Sequence, residues 1–174
     1  DSSFLYYFGF AQPGLSGIID ADSGKSILVG NDADIEDVVW MGPQPAMSER
    51  IQQIGADASI TTEALQGWLK GKTIHYLPQH HADRIFYLAE LLGKSTDEVK
   101  SGHSMQLVHA VIRQRAHKAP EEIDQMEEAL YITAAIHTQI RKSVAPGKYE
   151  AQIRGIAEGV AFANQARLSY QAIC

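Results

Sequence analysis

Asp32-Ala-Asp34-Ile-Glu36-Asp37 sets carboxylates at closely spaced positions, as a calcium loop does to wrap a hard cation in oxygen ligands. A helix–loop–helix calcium loop counted from Asp32 needs glycine and glutamate where this chain has Asp37 and Pro43. A solvated acidic loop is therefore expected. Gly24-Lys25-Ser26 ends like a phosphate-binding loop, but the earlier glycine of that motif falls on Ile19, which leaves a hairpin turn. His75, His80 and His81 offer imidazoles, yet no cysteine or carboxylate beside them completes a metal set. Glu121, Glu122, Asp124, Glu127 and Glu128 could gather around a cation. On a helix, however, they spread over the face opposite Ile123, Met126 and Leu130 and read as solvated. His137 sits beside that apolar stripe and is expected to be packed and hydrogen-bonded. The single cysteine, Cys174, has no neighbouring base or activating environment and is not a nucleophile. No catalytic residue and no metal ligand is assigned to the chain.

Any site must be positioned by an ordinary globular framework. The 174 residues suit one large or two small domains, and 45% hydrophobic with 21% charged residues can bury a core. A net charge of -6 argues against nucleic acid as a partner. No apolar run approaches the ~18 residues that span a membrane. One cysteine rules out an internal disulfide and suits a reducing, cytoplasmic compartment.

Phe4 to Phe10, rich in aromatics, reads as a buried strand, opening the chain at Asp1 without an initiator methionine. Leu15 to Asp20 and Ser26 to Gly30 read as strands joined by a turn over Ala21 to Lys25. Val38-Val39-Trp40 is expected to be extended, running into the Gly42-Pro43-Gln44-Pro45 loop. Met47 to Ile54 and Glu63 to Leu69 are predicted helices, Gly55 ending the first, and Thr73 to Leu77 a short strand. Ala82 to Leu92 carries Ile85, Leu88, Leu91 and Leu92 on one helical face, with Gly93 as its stop. Strands alternating with helices make the fold class α/β, and the hairpin makes its sheet mixed.

A joint follows at Arg113-Gln-Arg115-Ala-His117-Lys118-Ala-Pro120-Glu121-Glu122-Ile123, with Pro120 suited to a first helical position and the glutamates to a first turn. Beyond it, Ile123, Met126, Leu130, Thr133, Ile136 and Ile140 form one helical stripe, with Arg141 and Lys142 at its end. Pro146-Gly147 breaks that helix. Tyr149, Ile153, Ile156, Val160 and Ala163 mark a second, and Arg167 to Cys174 is expected to begin a strand.

Four landmarks in order resemble those of aminopeptidase P, the Xaa-Pro aminopeptidases of the creatinase/methionine-aminopeptidase "pita-bread" superfamily. Asp1 to Phe10 resembles the "F-x-Y-x-x-G-F" segment, and Val39-Trp40-Met41-Gly42 the "W-x-G" turn. Arg113 to Ile123 resembles the "K-x-P-E-E-I" joint, and His137, Pro146-Gly147 and Tyr149-Glu150 the "A-H…P-G-x-x-E" pattern. The resemblance implies an N-terminal creatinase-like domain over residues 1–104, lacking its first strands. It gives that domain a mixed sheet flanked by helices, and it implies a joint over 105–118 and the first helices of a pita-bread catalytic domain over 119–174.

The activity so implied is release of the N-terminal residue from peptides with proline in second position, by a hydroxide held between two divalent metals, usually manganese. The implied ligands, two Asp, one His and two Glu, all fall after the point matching Cys174, so the segment alone is expected to be inactive. Implied partners are Xaa-Pro peptides and further copies of the chain, as dimer or tetramer. In tetrameric relatives the aromatic of the "W-x-G" turn borders a neighbouring subunit's substrate, which makes Trp40 the one candidate substrate-binding residue. A tryptophan packed in its own domain is the simpler expectation. Gly42-Pro43-Gln44-Pro45 also stands where many relatives carry arginines. A non-catalytic binding module of the superfamily and a prolidase (Xaa-Pro dipeptidase) are the alternatives.

Overall fold

Asp20 and Lys25 pair across a four-residue turn in which Gly24, at φ 69°, donates its N–H to the Asp20 carbonyl at 2.8 Å. A positive φ there costs glycine nothing and costs other residues a steric clash. The computed structural model, which describes residues 2–173, builds β1 (Ser16–Asp20) and β2 (Lys25–Val29) on this turn. They run antiparallel, Ser16 opposite Val29, as the hairpin reading predicts. A third strand, β3 (Ala58–Ile60), lies parallel to β2 with Leu28 opposite Ser59, so the sheet is mixed and ordered β1-β2-β3. The central strand is buried along Ile27, Leu28 and Val29, the continuous apolar run of a strand covered on both faces. Asp57 fastens the edge: its carboxylate accepts from the Ser26 N–H at 2.7 Å and hydroxyl at 3.0 Å. The Ser26 N–H above all holds that carboxyl below the usual range.

Two segments expected to be extended are helical. The first, α1 (Ser2–Phe8), spaces Phe4, Tyr7 and Phe8 on one face, toward the cluster of Phe8, Leu28 and Met47. Phe4 and Phe8 stack with ring centres 5.3 Å apart, the geometry of an i, i+4 pair on a helix. Gly9, at φ 70°, closes the turn. Asp1, the first residue of that landmark, lies outside the described residues. The second is α2 (Ile35–Met41), where a reciprocal cap between Asp34 and Asp37 outweighs the strand preference of Val38-Val39-Trp40.

Further along come α3 (Met47–Ile54), ended by left-handed Gly55, and α4 (Thr62–Leu69), whose N-cap Thr61 accepts from the Ala64 N–H. The expected strand over 73–77 forms no ladder. Ile74 and Tyr76 instead run through a second cluster of Tyr76, Ile85 and Val99, and Ser104 donates to the Tyr76 carbonyl. That cluster is built by α5 (Ala82–Leu92), through Ile85, Leu88 and Leu92, and by α6 (Thr96–Ser101), capped by Ser95 and Glu98. Residues 105–116 form α7 (Met105–Ala116).

The chain divides into two compact units, one up to Leu107 and one from Val108 onward. In the second, α8 (Pro120–Ser143) starts at Pro120, carries Glu121 and Glu122 in its first turn, and ends on Arg141 and Lys142. It packs on α9 (Glu150–Ala163) through Ile136, Ala157 and Ala161, where the small alanines let the helices approach closely. Of the expected six-residue stripe, Ile136 is buried and Ile140 half-buried, while Ile123, Met126, Leu130 and Thr133 are exposed. With 14 residues against 24, α9 is ~15 Å the shorter and cannot cover both halves. Residues 167–173 form no strand, and Cys174 lies outside the described residues. No described helix is long and apolar enough to cross a membrane.

Candidate functional site

The segment from Asn31 to Arg50 places Trp40. Asp32 Oδ1 accepts the Met47 N–H at 2.6 Å and so caps α3 from fifteen residues upstream. Asp34 accepts from the Asp37 N–H at 2.8 Å, and Asp37 returns the bond to the Asp34 N–H at 3.3 Å. These carboxylates, expected in a solvated loop, are helix caps. Each faces the positive end of a helix dipole. At the far end of α2, Gly42 donates to the Val38 carbonyl, and Gln44 Nε2 donates to the carbonyls of Met41 (3.2 Å) and Gly42 (3.4 Å). Asn31 fixes the start of α4, accepting from the Thr62 N–H at 2.9 Å and donating to Glu63 at 3.0 Å. Glu63 is held down at about 2, first by its own backbone N–H and then by Asn31 and Thr62.

The result is a short, capped spur with its apolar side chains outward. Trp40 is 81% exposed and Ile35 85%, and Val39 and Met41 are exposed with them. The expectation of a tryptophan packed in its own domain is overturned: α2 buries none of its residues. Arg50, by contrast, is 3% exposed, with Nη1 on the Met47 sulfur at 3.7 Å and Nε without a partner. Sequence reasoning missed it, although Met47, Arg50, Ile51 and Ile54 follow the i, i+3, i+4, i+7 spacing of a core face.

The remaining candidates stay apart. His75 Nδ1 pairs with the Ser104 hydroxyl at 2.9 Å, while His80 and His81 are exposed. Lys25 sits in the hairpin. Glu122 accepts the Ala119 N–H as a cap, and Glu121, Asp124, Glu127 and Glu128 are exposed. His137 is exposed rather than packed. Among the described residues, no group of three or more His, Cys, Asp or Glu could hold a metal ion.

Residues 1–76 match the family model for the N-terminal domain of aminopeptidase P. Over 171 residues, 89% of the chain, the sequence is 23% identical to the Xaa-Pro aminopeptidase of Escherichia coli strain K12. Over 169 residues, 94% of the chain, it is 27% identical to a probable Xaa-Pro aminopeptidase of Aspergillus clavatus. The chain spans only 38% and 35% of the lengths of those relatives. Among solved structures, zinc-substituted Escherichia coli aminopeptidase P in complex with product superposes with a TM-score of 0.75 at 21% identity. The low-pH form of that enzyme gives 0.74 at 22%. Both likenesses cover 96% of this chain and 41% of the solved one, and they establish the shared fold.

Proposed function

We propose that the chain belongs to the aminopeptidase P family and is the front section of a peptidase that removes the N-terminal residue from peptides with proline in second position. The observation that carries this is similarity to Xaa-Pro aminopeptidases along nearly the whole chain, with the family's N-terminal domain matched over residues 1–76. In this reading residues 1–104 are the accessory domain, 105–118 the joint, and 119–174 the first helices of the catalytic domain.

The described residues do not supply a metal site. The proposed enzyme holds two divalent ions, manganese in our reading, on residues after position 174; such ions generate a hydroxide and stabilise developing charge. The segment by itself is inactive. Its own contribution to the site is Trp40, whose exposed ring on the α2 spur is free to border substrate in a neighbouring copy of a cytoplasmic dimer or tetramer. A large rigid ring suits that task because it loses little conformational entropy on contact.

The complete reading frame, assayed on an Xaa-Pro peptide, is expected to release the first residue, lose activity to a chelator and regain it with manganese. Release that persists after chelation would refute the reading. So would release of proline only from dipeptides, the behaviour of a prolidase.

A further inference from the structure

Arg50 is the one buried charged side chain among the described residues, and it is poorly satisfied. Its Nη1 reaches only a thioether, a weak acceptor, and its Nε has no partner. It forms no ion pair among the described residues, though a buried charge is ordinarily paired. Nε is sealed from solvent, so Nη2 is the donor left to meet a solute's carboxylate through a charge-assisted hydrogen bond.

That side chain lines a cleft of about 260 Å³ shared with Gln12, Asp32, Asp37, Met41 and Gln44. The volume lies below the roughly 300–1,000 Å³ of sites for drug-sized ligands, and it far exceeds the ~30 Å³ share of one water. A small solute fits it. The charges decide which one. Asp32 and Asp37 each spend an oxygen on a backbone N–H and keep acceptor capacity to spare. A bare anion would meet two carboxylates against one guanidinium, and a bare cation would meet the guanidinium. A solute with both charges answers the carboxylates and the guanidinium together.

We propose that the cleft between the 12–15 loop, the start of α2 and α3 binds a free α-amino acid. Its carboxylate accepts from Nη2 of Arg50 and its ammonium faces Asp32 and Asp37. The Gln12 amide, half-buried in the same lining, is available to either group. The inference is independent of the peptidase reading, and its failure would leave that reading untouched.

Titration of the 174-residue chain with L-alanine, followed by amide chemical shifts, tests it. Saturable shifts over residues 12–15, 31–37 and 41–50 are expected, with acetate and methylammonium at least about tenfold weaker. Arg50→Met should abolish the shifts yet melt no lower than the parent, because it replaces an unpaired buried charge by an apolar chain of similar reach. Should that variant not fold, Arg50→Lys keeps the charge without the terminal guanidinium nitrogen that reaches the cleft and should weaken binding about fivefold or more. No shift at tens of millimolar, equal binding of acetate alone, or undiminished binding by either variant would overturn the proposal.

Discussion

Gly17 is the position where one methyl group should cost most. A Cβ built there would lie 2.0, 2.4 and 2.5 Å from three atoms of the Phe8 ring, distances no packed carbon tolerates. Phe8 is buried, stacked on Phe4 and packed with Leu28 and Met47, so the ring has nowhere easy to go. Forcing it aside costs ~1–3 kcal/mol of overpacking and up to ~1.5 kcal/mol of ring pairing. Restricting a strand glycine in the unfolded chain returns ~0.5–1 kcal/mol. Gly17→Ala should therefore destabilise the first unit by about 2 kcal/mol net. Urea unfolding followed by tryptophan fluorescence reads that unit alone, because Trp40 and Trp68 both precede its boundary at Leu107. The midpoint should fall by about 1 M at unchanged slope. In a Phe8→Leu background the ring is gone and the alanine should be neutral or slightly stabilising, a coupling the double-mutant cycle exposes. A Gly17→Ala cost that is absent, or that persists in that background, would refute the contact as the cause. Gly67→Ala, in α4 with open space around its Cβ, should move the midpoint up instead.

Trp40→Ala should change stability by no more than ~0.5 kcal/mol, since the ring is exposed, while lowering kcat/KM of the complete enzyme about tenfold or more; a large loss of stability at full activity would contradict its placement. Glu63 is depressed from 4.5 to about 2, so its contribution is complete above pH 4.5 and lost as pH falls toward 2. Glu63→Gln should flatten the urea midpoint over that window, leaving the part due to Asp20, Asp57 and Glu98, all of them lowered; parallel profiles would exclude the Asn31–Glu63 contact as a source. Ala157→Leu should cost ~1–3 kcal/mol at the α8–α9 seam, read as an earlier helical melt, and Gly159→Ala beside it, in open space, should not.

The hairpin, α3, α5 and α8 are legible in the sequence because punctuation and period agree there. Gly24, Gly55 and Gly93 adopt positive φ where turns or helix ends require it, and Pro120 opens a helix as its missing N–H allows. Where two local signals compete, composition misleads. The aromatics of residues 4–10 have strand propensity, yet the four-residue step from Phe4 to Phe8 and the stop at Gly9 belong to a helix. Val38-Val39-Trp40 favours a strand until Asp34 and Asp37 are seen as reciprocal caps three residues apart. A three-residue β3 has no period to detect, and its burial comes only from lying beside β2.

Burial is the level at which the reading inverts, and the inversion is local. Within residues 35–50 Trp40, expected to be packed, is exposed together with Val38 and Val39, and Arg50 is buried. Neither arrangement lowers the free energy of the isolated unit: exposed apolar area forgoes the hydrophobic gain, and an unpaired guanidinium bears a desolvation cost. Yet the segment is among the most thoroughly tied in the fold, with Asp32, Asp34, Asp37 and Gln44 each spent on holding its backbone. A sequence that spends four polar side chains to hold two unfavourable placements is being held for something other than the stability of that unit. Departures from the local rules of folding concentrate where function is. The α2 spur and the Arg50 cleft are therefore the two places at which a partner, a second copy on the one and a small zwitterion in the other, would return what the isolated unit gives up.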